Sequence, residues 1–341
     1  MAESLETKKI GIGFIGTGGI ADLHSNGYKK NENARIIAVA DIVAEIAEQK
    51  RIAYGADRSY SDYNQLLKDP AVDAVDICVP NFLHSQVAIA AAEAGKHVLC
   101  EKPLSLTAAE TRKLLAVRDR MGVKIGEAFM VRTHPQWLRA RELVASGRIG
   151  QLRSALGFFS YFNNDPSNIR NIPACGGGAL MDIGCYPITT SRFMFGEEPS
   201  RVLGLVERDP HLKVDRLTSA ILDFPSGQST FTCSTQLVPY QRSHFLGTRG
   251  RIEIEIPFNA PNDRLCRIRI DDGSDMFGSG VATEDFPICD QYTIQGDVFS
   301  RAVRGDADVP VSLEDTLKNM AVIDAIFRSA DSGKWETPKA E

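Results

Sequence analysis

The sequence predicts an α/β Rossmann domain, with a doubly wound parallel sheet, followed by an α+β domain with a large, open, mainly antiparallel sheet. Three observations lead to this prediction. Short apolar runs alternate with helical patterns through the first third of the chain, as in parallel βαβ units. A glycine-rich turn, GTGGIA at 16–21, follows the first apolar run. Beyond about residue 130 the apolar runs lengthen and alternate with polar residues, which is typical of antiparallel strands.

The elements of the first domain alternate regularly along the chain. We predict strands at 10–16, 34–41, 71–80, 96–103 and 123–129. We predict helices at 20–30, 43–54, 62–68, 84–94 and 107–121. Because the pattern changes after the last of these strands, we place the domain boundary there. Residues 1–128 form the predicted dinucleotide-binding domain, and 129–341 form a substrate-binding and oligomerisation domain.

Longer alternating runs dominate the second domain, separated by turn signals such as PSG at 225–227. We predict strands at 152–162, 201–208, 218–224, 227–235, 240–248, 251–256 and 264–270. Helices are predicted at 136–146, near 177–195 and at 312–331. An open sheet with an apolar outer face leaves a large exposed patch unless it is paired. The sequence therefore predicts a homodimer or homotetramer through the open sheet.

Composition excludes several classes of protein. The chain of 341 residues carries a net charge of −5 and no run of Lys and Arg, so nucleic-acid binding is not supported. No apolar stretch approaches the roughly 20 residues that span a bilayer. Lys8 and Lys9 precede an apolar run, but Glu3 and Glu6 lie where a secretion signal needs positive charge. We therefore expect a cytoplasmic protein with no membrane partner.

The cysteines point away from a metal or disulfide framework. There are seven, an odd number, and they are scattered without a CxxC pair or a His/Cys cluster. Disulfide scaffolds and structural zinc sites need paired or clustered ligands. We therefore interpret the cysteines as small buried hydrophobic residues, and we expect no metal.

The GTGGIA turn fits the pattern G-x-G-x-x-A of a dinucleotide-binding loop. Gly16 allows the tight turn, Gly18 lets the backbone approach a pyrophosphate, and Ala21 lets helix and strand pack closely. The backbone N–H groups of Thr17, Gly19 and Ile20 are expected to help line this loop, because the start of a helix attracts phosphate. The alternative is an ordinary glycine turn in an α/β protein.

Asp41 ends the second predicted strand and bears on the choice of cofactor. A carboxylate at this position accepts hydrogen bonds from the ribose 2′-hydroxyl and repels a 2′-phosphate. No Arg follows it. The residue therefore favours NAD over NADP.

Lys102, in Glu101-Lys102-Pro103, directly follows a predicted strand. Ligands of open parallel sheets lie beyond the carboxyl ends of the strands, so a lysine there can reach the nicotinamide end of a dinucleotide and hydrogen-bond a substrate oxygen. Taken alone, the tripeptide favours a surface Glu–Lys pair.

The stretch GGGALMDIGCY at 176–186 places a carboxylate and a phenol in an otherwise apolar segment. If a helix begins near the glycines, Asp182 and Tyr186 are four residues apart and lie on one face. Together with Lys102 they make an acid–base group. Asn168 and Arg170, just before the glycines, are candidates for binding substrate hydroxyls. The aromatic residues of the preceding strand are interpreted as sheet packing and interface: Phe158, Phe159, Tyr161 and Phe162.

Taken together, these motifs resemble the glucose–fructose oxidoreductase / inositol dehydrogenase / rhizopine-catabolism (Gfo/Idh/MocA) dehydrogenases. The resemblance covers nearly the whole chain. The matching segments, in order, are GTGGIA, VPNFLH at 79–84, AGKHVLCEKPL at 94–104, EAFMVRTHPQ at 127–136, SGRIGQL at 146–152 and GGGALMDIGCYPI at 176–188. Tyr186 stands where many members have His, and this resembles the xylose dehydrogenase and dimeric dihydrodiol dehydrogenase-like subgroup. That subgroup commonly uses NADP, which conflicts with Asp41.

The resemblance also implies roles for individual residues. Lys102, Asp182 and Tyr186 match catalytic positions. Positions around the nicotinamide end of the cofactor are matched by Val79, Pro80, Asn81, His84, Glu101 and Lys102. Arg132 and His134 lie in a segment that borders the site, and Tyr292 matches a late aromatic position near the cofactor. Substrate binding is implied for Lys102, Asp182 and Tyr186, to which Arg170 is added from its place in the sequence.

The expected activity is NAD(P)-dependent hydride transfer between the nicotinamide and a hydroxyl carbon of an aldose or polyol. A free tyrosine titrates at about pH 10, so Tyr186 needs a neighbouring cation, here Lys102, to act as a base near neutral pH. Several alternatives stay open. They are a trans-dihydrodiol or inositol-type dehydrogenase, a sugar-to-sugar oxidoreductase with a tightly bound cofactor, and a non-catalytic dinucleotide-sensing protein.

Overall fold

The alternating segments of the first third form a six-stranded parallel sheet in the computed structural model, which describes residues 9–340. Its strands are β1 (Ile10–Ile15), β2 (Ala34–Ala40), β3 (Arg58–Tyr60), β4 (Ala74–Ile77), β5 (His97–Glu101) and β6 (Ile125–Ala128). The helices along it are α1 (Gly19–Lys29), α2 (Ala44–Tyr54), α3 (Tyr63–Leu67), α4 (Asn81–Glu93) and α5 (Ala108–Met121). The predicted doubly wound parallel sheet is confirmed.

The strand order is β3-β2-β1-β4-β5-β6. The direction of winding reverses between β1 and β4, and at such a switch the loops after adjacent strands leave a crevice for ligands. Apolar clusters lie on both faces of the sheet, one around Ile77 and Leu114 and the other around Phe14 and Tyr54. The predicted dinucleotide loop follows β1, at this switch point.

The second sheet has eight strands in the order β14-β13-β12-β11-β7-β10-β9-β8. The strands are β7 (Leu152–Phe162), β8 (Arg201–Arg208), β9 (Asp215–Phe224), β10 (Gly227–Ser234), β11 (Gln236–Gly247), β12 (Arg251–Ile254), β13 (Cys266–Asp271) and β14 (Val281–Phe286). Only the β7–β10 pair is parallel, so the predicted large, mainly antiparallel sheet is confirmed.

The later helices are α6 (Pro135–Ala145), α7 (Cys185–Phe195), α8 (Gln291–Arg304) and α9 (Leu313–Ser332). The helix predicted near 177–195 differs in its first turn, since a π turn over Leu180–Gly184 precedes α7. Gly184 explains part of this, because a Cβ there would lie 2.8 Å from Leu180 Cδ1 and 2.9 Å from Cys233 Sγ. The wider π turn therefore packs closely on β10.

Three elements have no counterpart in the sequence prediction. Strand β3 has only three residues, and β14 carries two acidic residues in six, so neither shows an apolar pattern. Helix α8 contains Gly296, which argues against a helix by propensity. That glycine lies against the ring of Tyr28 on α1, where a Cβ would come within 3.0 Å. Packing of α8 against α1 therefore explains why a helix forms here despite the glycine.

By its contacts, the chain divides into two compact units. The first comprises the residues up to Leu104 together with Glu110–Thr133 and Asp290–Glu314. The second comprises Ser105–Ala109, His134–Cys289 and the residues from Asp315 onward. The sequence analysis places one boundary at residue 128, whereas Asp290–Glu314, well beyond it, returns to the first unit.

None of the seven cysteines, all of which lie within residues 9–340, forms a disulfide, and five of them are buried. This agrees with their interpretation as small hydrophobic residues. No helix within residues 9–340 is both long and apolar enough to cross a membrane.

Candidate active site

The loop after β1 has the shape of a dinucleotide cradle. Gly16 has a φ of +85°, and a Cβ there would lie 2.7 Å from the carbonyl oxygen of Cys78, so only glycine fits. At Gly18 and Gly19 a Cβ would meet nothing within 4 Å. Within the described part of the chain, no side chain caps the start of α1 at Gly18, and the N–H groups of a helix start bind phosphate. The residues of this loop, including Thr17 and Ile20, fit a dinucleotide pyrophosphate.

Asp41 lies directly after β2, and two donors hold its carboxylate. The Thr17 hydroxyl donates to Oδ2 at 2.5 Å, and the Val43 backbone N–H donates to Oδ1 at 3.1 Å. Thr17 is itself buried, and its hydrogen bond connects the glycine-rich loop to Asp41. Ile42, next to Asp41, is 92% exposed, and no basic side chain follows that could pair with a 2′-phosphate.

His84 connects the ends of two neighbouring strands. Its Nε2 lies 2.7 Å from the carbonyl oxygen of Val79, just after β4. Its Nδ1 lies 2.8 Å from the carbonyl oxygen of Pro103, just after β5. Burial lowers the pKa of His84, although the two acceptors favour a ring with two N–H donors. Through these two contacts, His84 joins the loop after β4 to the loop after β5. Pro80 caps the start of α4, and Asn81 is its first residue.

Glu101 belongs to a buried ion cluster that the sequence analysis missed. His24 of α1 contacts both carboxylates of this cluster. Its Nδ1 lies 2.9 Å from Asp76, and its Nε2 lies 2.9 Å from Glu101. The contact with Glu101 is an ion pair without linear hydrogen-bond geometry. Burial opposes the positive charge of His24, but the two carboxylates raise its pKa to about 10. An acidic residue inside the apolar run AVDICVP, at Asp76, was the signal available in the sequence. Cys78 completes a group that could hold a metal, but His24 already satisfies the carboxylates.

Lys102 follows β5, half-buried, and its peptide bond to Pro103 is cis. Its backbone N–H lies 3.1 Å from Glu101 Oε2, which accepts the hydrogen bond. Tyr292, near the start of α8, packs its ring 5.1 Å from that of His24. Burial raises the pKa of Tyr292. All the predicted cofactor residues thus belong to the first unit. Tyr292 does so although it lies far along the chain from the others.

In the second unit, Asp182 is the centre of a polar group. Its side chain is buried, and Oδ2 accepts hydrogen bonds from the Tyr161 hydroxyl at 2.5 Å and from Arg170 Nε at 3.1 Å. The sequence analysis assigned Tyr161 to sheet packing and interface and did not anticipate that its hydroxyl would bond to Asp182 from the end of β7. In the sequence, only the residue type of Tyr161 could have indicated this hydrogen bond, because hydrophobic periodicity does not distinguish Tyr from Phe.

Tyr186, in the first turn of α7, is buried among aromatic rings. Its ring lies 5.8 Å from that of Phe159 and 5.4 Å from that of Phe258, and those two rings stack at 4.9 Å. Such rings fix the plane of a phenol and therefore the direction of its hydroxyl. Phe159 packs as the sequence analysis expected, and Phe258 was not identified from the sequence.

Three further predicted residues lie in short turns or at the start of a helix. Asn168 Oδ1 accepts from the Arg170 backbone N–H at 3.0 Å, so it shapes the turn before the glycines. His134 caps α6, where its Nδ1 accepts from the Gln136 N–H at 3.2 Å. Burial lowers the pKa of His134 to about 4, which leaves it neutral near pH 7. Arg132 lies in a 3-10 turn of the first unit.

Comparison with known proteins matches both parts of the chain. The family model described as "Oxidoreductase family, NAD-binding Rossmann fold" matches residues 10–129. The model described as "GFO/IDH/MocA C-terminal domain" matches residues 137–253.

Individual relatives match over almost their full length. An uncharacterised oxidoreductase of Rhizobium meliloti is 44% identical over 96% of this chain and 98% of its own. The D-xylose 1-dehydrogenase (NADP(+)) 2 of Haloferax volcanii is 34% identical over 94% of this chain and 98% of its own. Among solved structures, an aldose–aldose oxidoreductase from Caulobacter crescentus complexed with glycerol has a TM-score of 0.89 at 27% identity, covering 97% of this chain and 100% of that one.

Proposed function

The chain belongs to the Gfo/Idh/MocA family of NAD-binding oxidoreductases, and we propose that it oxidises an aldose at a hydroxyl carbon, with hydride transfer to a nicotinamide cofactor. A general role as a sugar oxidoreductase follows from the relatives. The aldose, the carbon that reacts and the acid–base residues are our proposal.

The observation that carries this proposal is the polar group at Asp182. The Asp182 carboxylate is buried, and hydrogen bonds from the Tyr161 hydroxyl and the Arg170 guanidinium fix its orientation. Carboxylate and guanidinium groups together bind the hydroxyls of a sugar, because one accepts and the other donates. We assign Asp182 and Arg170 to substrate hydroxyls.

Tyr186 is the proposed acid–base residue. Its ring is fixed by Phe159 and Phe258, so its hydroxyl can be presented in one direction. In oxidation it removes the proton of the reacting hydroxyl, and in reduction it returns that proton. Lys102 is proposed to hydrogen-bond the same oxygen and to stabilise negative charge on it.

The loop at Gly16–Ile20 and Asp41 are proposed to hold the cofactor. When bound, a nicotinamide dinucleotide supplies the acceptor for the hydride. The orientation of the Asp41 carboxylate by Thr17 and Val43 supports NAD. The Haloferax volcanii relative carries NADP(+) in its name, so both cofactors belong in the test.

A second candidate is sugar-to-sugar hydride transfer with a retained cofactor. It is favoured by the similarity in fold to the aldose–aldose oxidoreductase, at a TM-score of 0.89. Cofactor that stays with the protein through purification distinguishes this activity from that of an ordinary dehydrogenase.

The open face of the second sheet is proposed to pair two copies of the chain. Cross-strand register places Phe158 and Leu205 in one row across β7, β10, β9 and β8. Leu205 is 76% exposed, and Tyr240 of β11 is 47% exposed. Apolar side chains grouped on one sheet face mark an interaction surface, and a homodimer or homotetramer would cover them.

The function is tested by incubating the purified chain with NAD or NADP and a panel of aldoses beginning with D-xylose, while following the absorbance of the reduced nicotinamide. Tyr186→Phe keeps the ring packing and removes the hydroxyl, and Lys102→Ala removes the amine. Both variants should lose turnover and retain cofactor binding, measured as the Kd by fluorescence. Tyr63→Phe and the exposed Lys68→Ala are matched controls. Wild-type turnover in either Tyr186→Phe or Lys102→Ala would refute the assigned roles.

A further inference from the structure

Asp215 is a buried carboxylate that faces the start of the π turn. It is the first residue of β9 and is 4% exposed. Its Oδ2 accepts hydrogen bonds from the Leu180 backbone N–H at 2.7 Å and from the Thr218 hydroxyl at 3.0 Å. Leu180 begins the π turn that carries Asp182. A side chain of the sheet thus accepts a hydrogen bond from the backbone of the turn that carries Asp182.

Gly178 shows how closely this carboxylate approaches the chain. Its φ is +117°, a region that side chains disfavour, and a Cβ there would overlap Oδ1 of Asp215. The last glycine of the GGG stretch is therefore explained by Asp215 as well as by backbone conformation. A substitution at either position would push the other away.

Gly178 in turn is bonded to both candidate substrate segments. Its N–H donates to the carbonyl oxygen of Arg170 at 2.8 Å, and its own carbonyl oxygen accepts from the Asp182 N–H at 3.1 Å. The backbone of Gly178 therefore joins the two residues whose side chains meet at Asp182 Oδ2. A shift of Gly178 would be transmitted to both of them through these two hydrogen bonds.

We propose that Asp215 is a positioning residue, which holds Leu180 and Gly178 so that Asp182 and Arg170 keep their relative placement. This inference rests on the proposed function, in which those two side chains bind substrate hydroxyls. Asp215 makes no contact with substrate in this scheme. Its effect is exerted through the backbone of the π turn.

The raised pKa of Asp215 argues that its ionised carboxylate does not serve to stabilise the fold. Burial raises its pKa to about 6, against the lowering effect of its hydrogen bonds and of Arg208 on β8. Cys233 on β10, whose pKa burial raises, also lies close enough to interact with this carboxylate. A carboxyl whose pKa is higher in the folded state destabilises the fold once it ionises, so stability from this group falls as pH rises from about 4 to about 6. Retaining the ionised form near neutral pH therefore costs stability.

Asp215→Asn tests the proposal, because the amide keeps the shape and removes the charge. At pH 8 we expect the melting temperature to be unchanged or higher. Hydrogen exchange of the peptide containing Leu180 should be faster, and kcat with the active aldose should fall about tenfold, as expected for a weakened hydrogen bond to a charged acceptor. In the wild type, kcat should fall more steeply as pH drops through about 6 than protonation of Tyr186 alone would cause, and the variant should lack this additional fall. Asp223→Asn, on the same strand and paired with Arg201, is the matched control.

Wild-type exchange at Leu180 in Asp215→Asn would overturn the proposal, as would faster exchange with an unchanged kcat. Exchange in the unmodified protein, corrected for the intrinsic effect of pH, gives a test that needs no variant. The Leu180 peptide should lose protection between pH 8 and pH 5, and constant protection would contradict the role of the carboxylate. If the wild type oxidises no aldose, the proposed function fails, and the exchange measurements still decide whether Asp215 holds the turn.

Discussion

The hydroxyl of Tyr161 donates a hydrogen bond to Oδ2 of Asp182 at 2.5 Å. The two residues are 21 positions apart, one at the end of β7 and the other on the π turn before α7. The contact joins the sheet of the second unit to the carboxylate that we assign to substrate hydroxyls. Its removal provides the first prediction.

Tyr161→Phe should lower kcat/KM for the aldose roughly tenfold or more, because a hydrogen bond to a charged group contributes about 1.5–3 kcal/mol. The ring stays, so the melting temperature should change little. Steady-state kinetics over a range of aldose concentrations measures the effect. The Kd for the cofactor should be unaltered, since the cofactor residues belong to the first unit. Kinetics equal to those of Tyr63→Phe would contradict the role of Tyr161.

Asp41→Ser should shift cofactor preference towards NADP. The carboxylate that repels a 2′-phosphate is removed, and we expect the ratio of kcat/KM values, NADP over NAD, to rise about tenfold, which corresponds to ~1.4 kcal/mol. Initial rates with each cofactor measure this ratio. Thr17→Val retains the carboxylate and loses one of its donors, so it should change the ratio less. A wild-type enzyme that already prefers NADP would show that Asp41 does not select the cofactor.

His24→Gln should destabilise the protein by roughly 3 kcal/mol at pH 7, because it leaves Asp76 and Glu101 buried without their cation. The pKa of His24 is raised from 6.5 to about 10 in the folded state. Its stabilising contribution is therefore complete below about pH 6.5 and is lost as pH rises through about 10. Urea unfolding at several pH values measures the difference between wild type and variant. That difference should shrink towards pH 10, and a constant difference would show that His24 is neutral in the folded protein.

Leu205→Asp should weaken self-association through the open sheet face. A charge placed on an apolar surface must be desolvated when that surface is covered, so the molar mass in solution should fall towards that of the 37.3 kDa chain. Light scattering after size-exclusion chromatography measures it. Leu138→Asp, at an exposed position on α6, is the control. A wild-type chain that is already monomeric would refute the proposed interface.

Much of the fold could be predicted from periodicity alone. The strands at 10–16 and 152–162 were found nearly as predicted, because their apolar runs are decided locally by burial. Helix α8 was not predicted, since Gly296 argues against a helix and only the Tyr28 ring of α1 explains it. The π turn before α7 was also missed, because its hydrogen bonding depends on packing against β10.

The candidate residues divide in the same way. The sequence by itself determined which candidate groups are available, namely the GTGGIA loop, Asp41, Lys102, Asp182 and Tyr186, because these depend on residue type and spacing along the chain. Only the tertiary structure decided which side chains hold them. His24, Tyr161 and Asp215 lie tens of residues from their partners Glu101, Asp182 and Leu180, and a hydrogen bond or ion pair depends on distance in space, which chain folding sets.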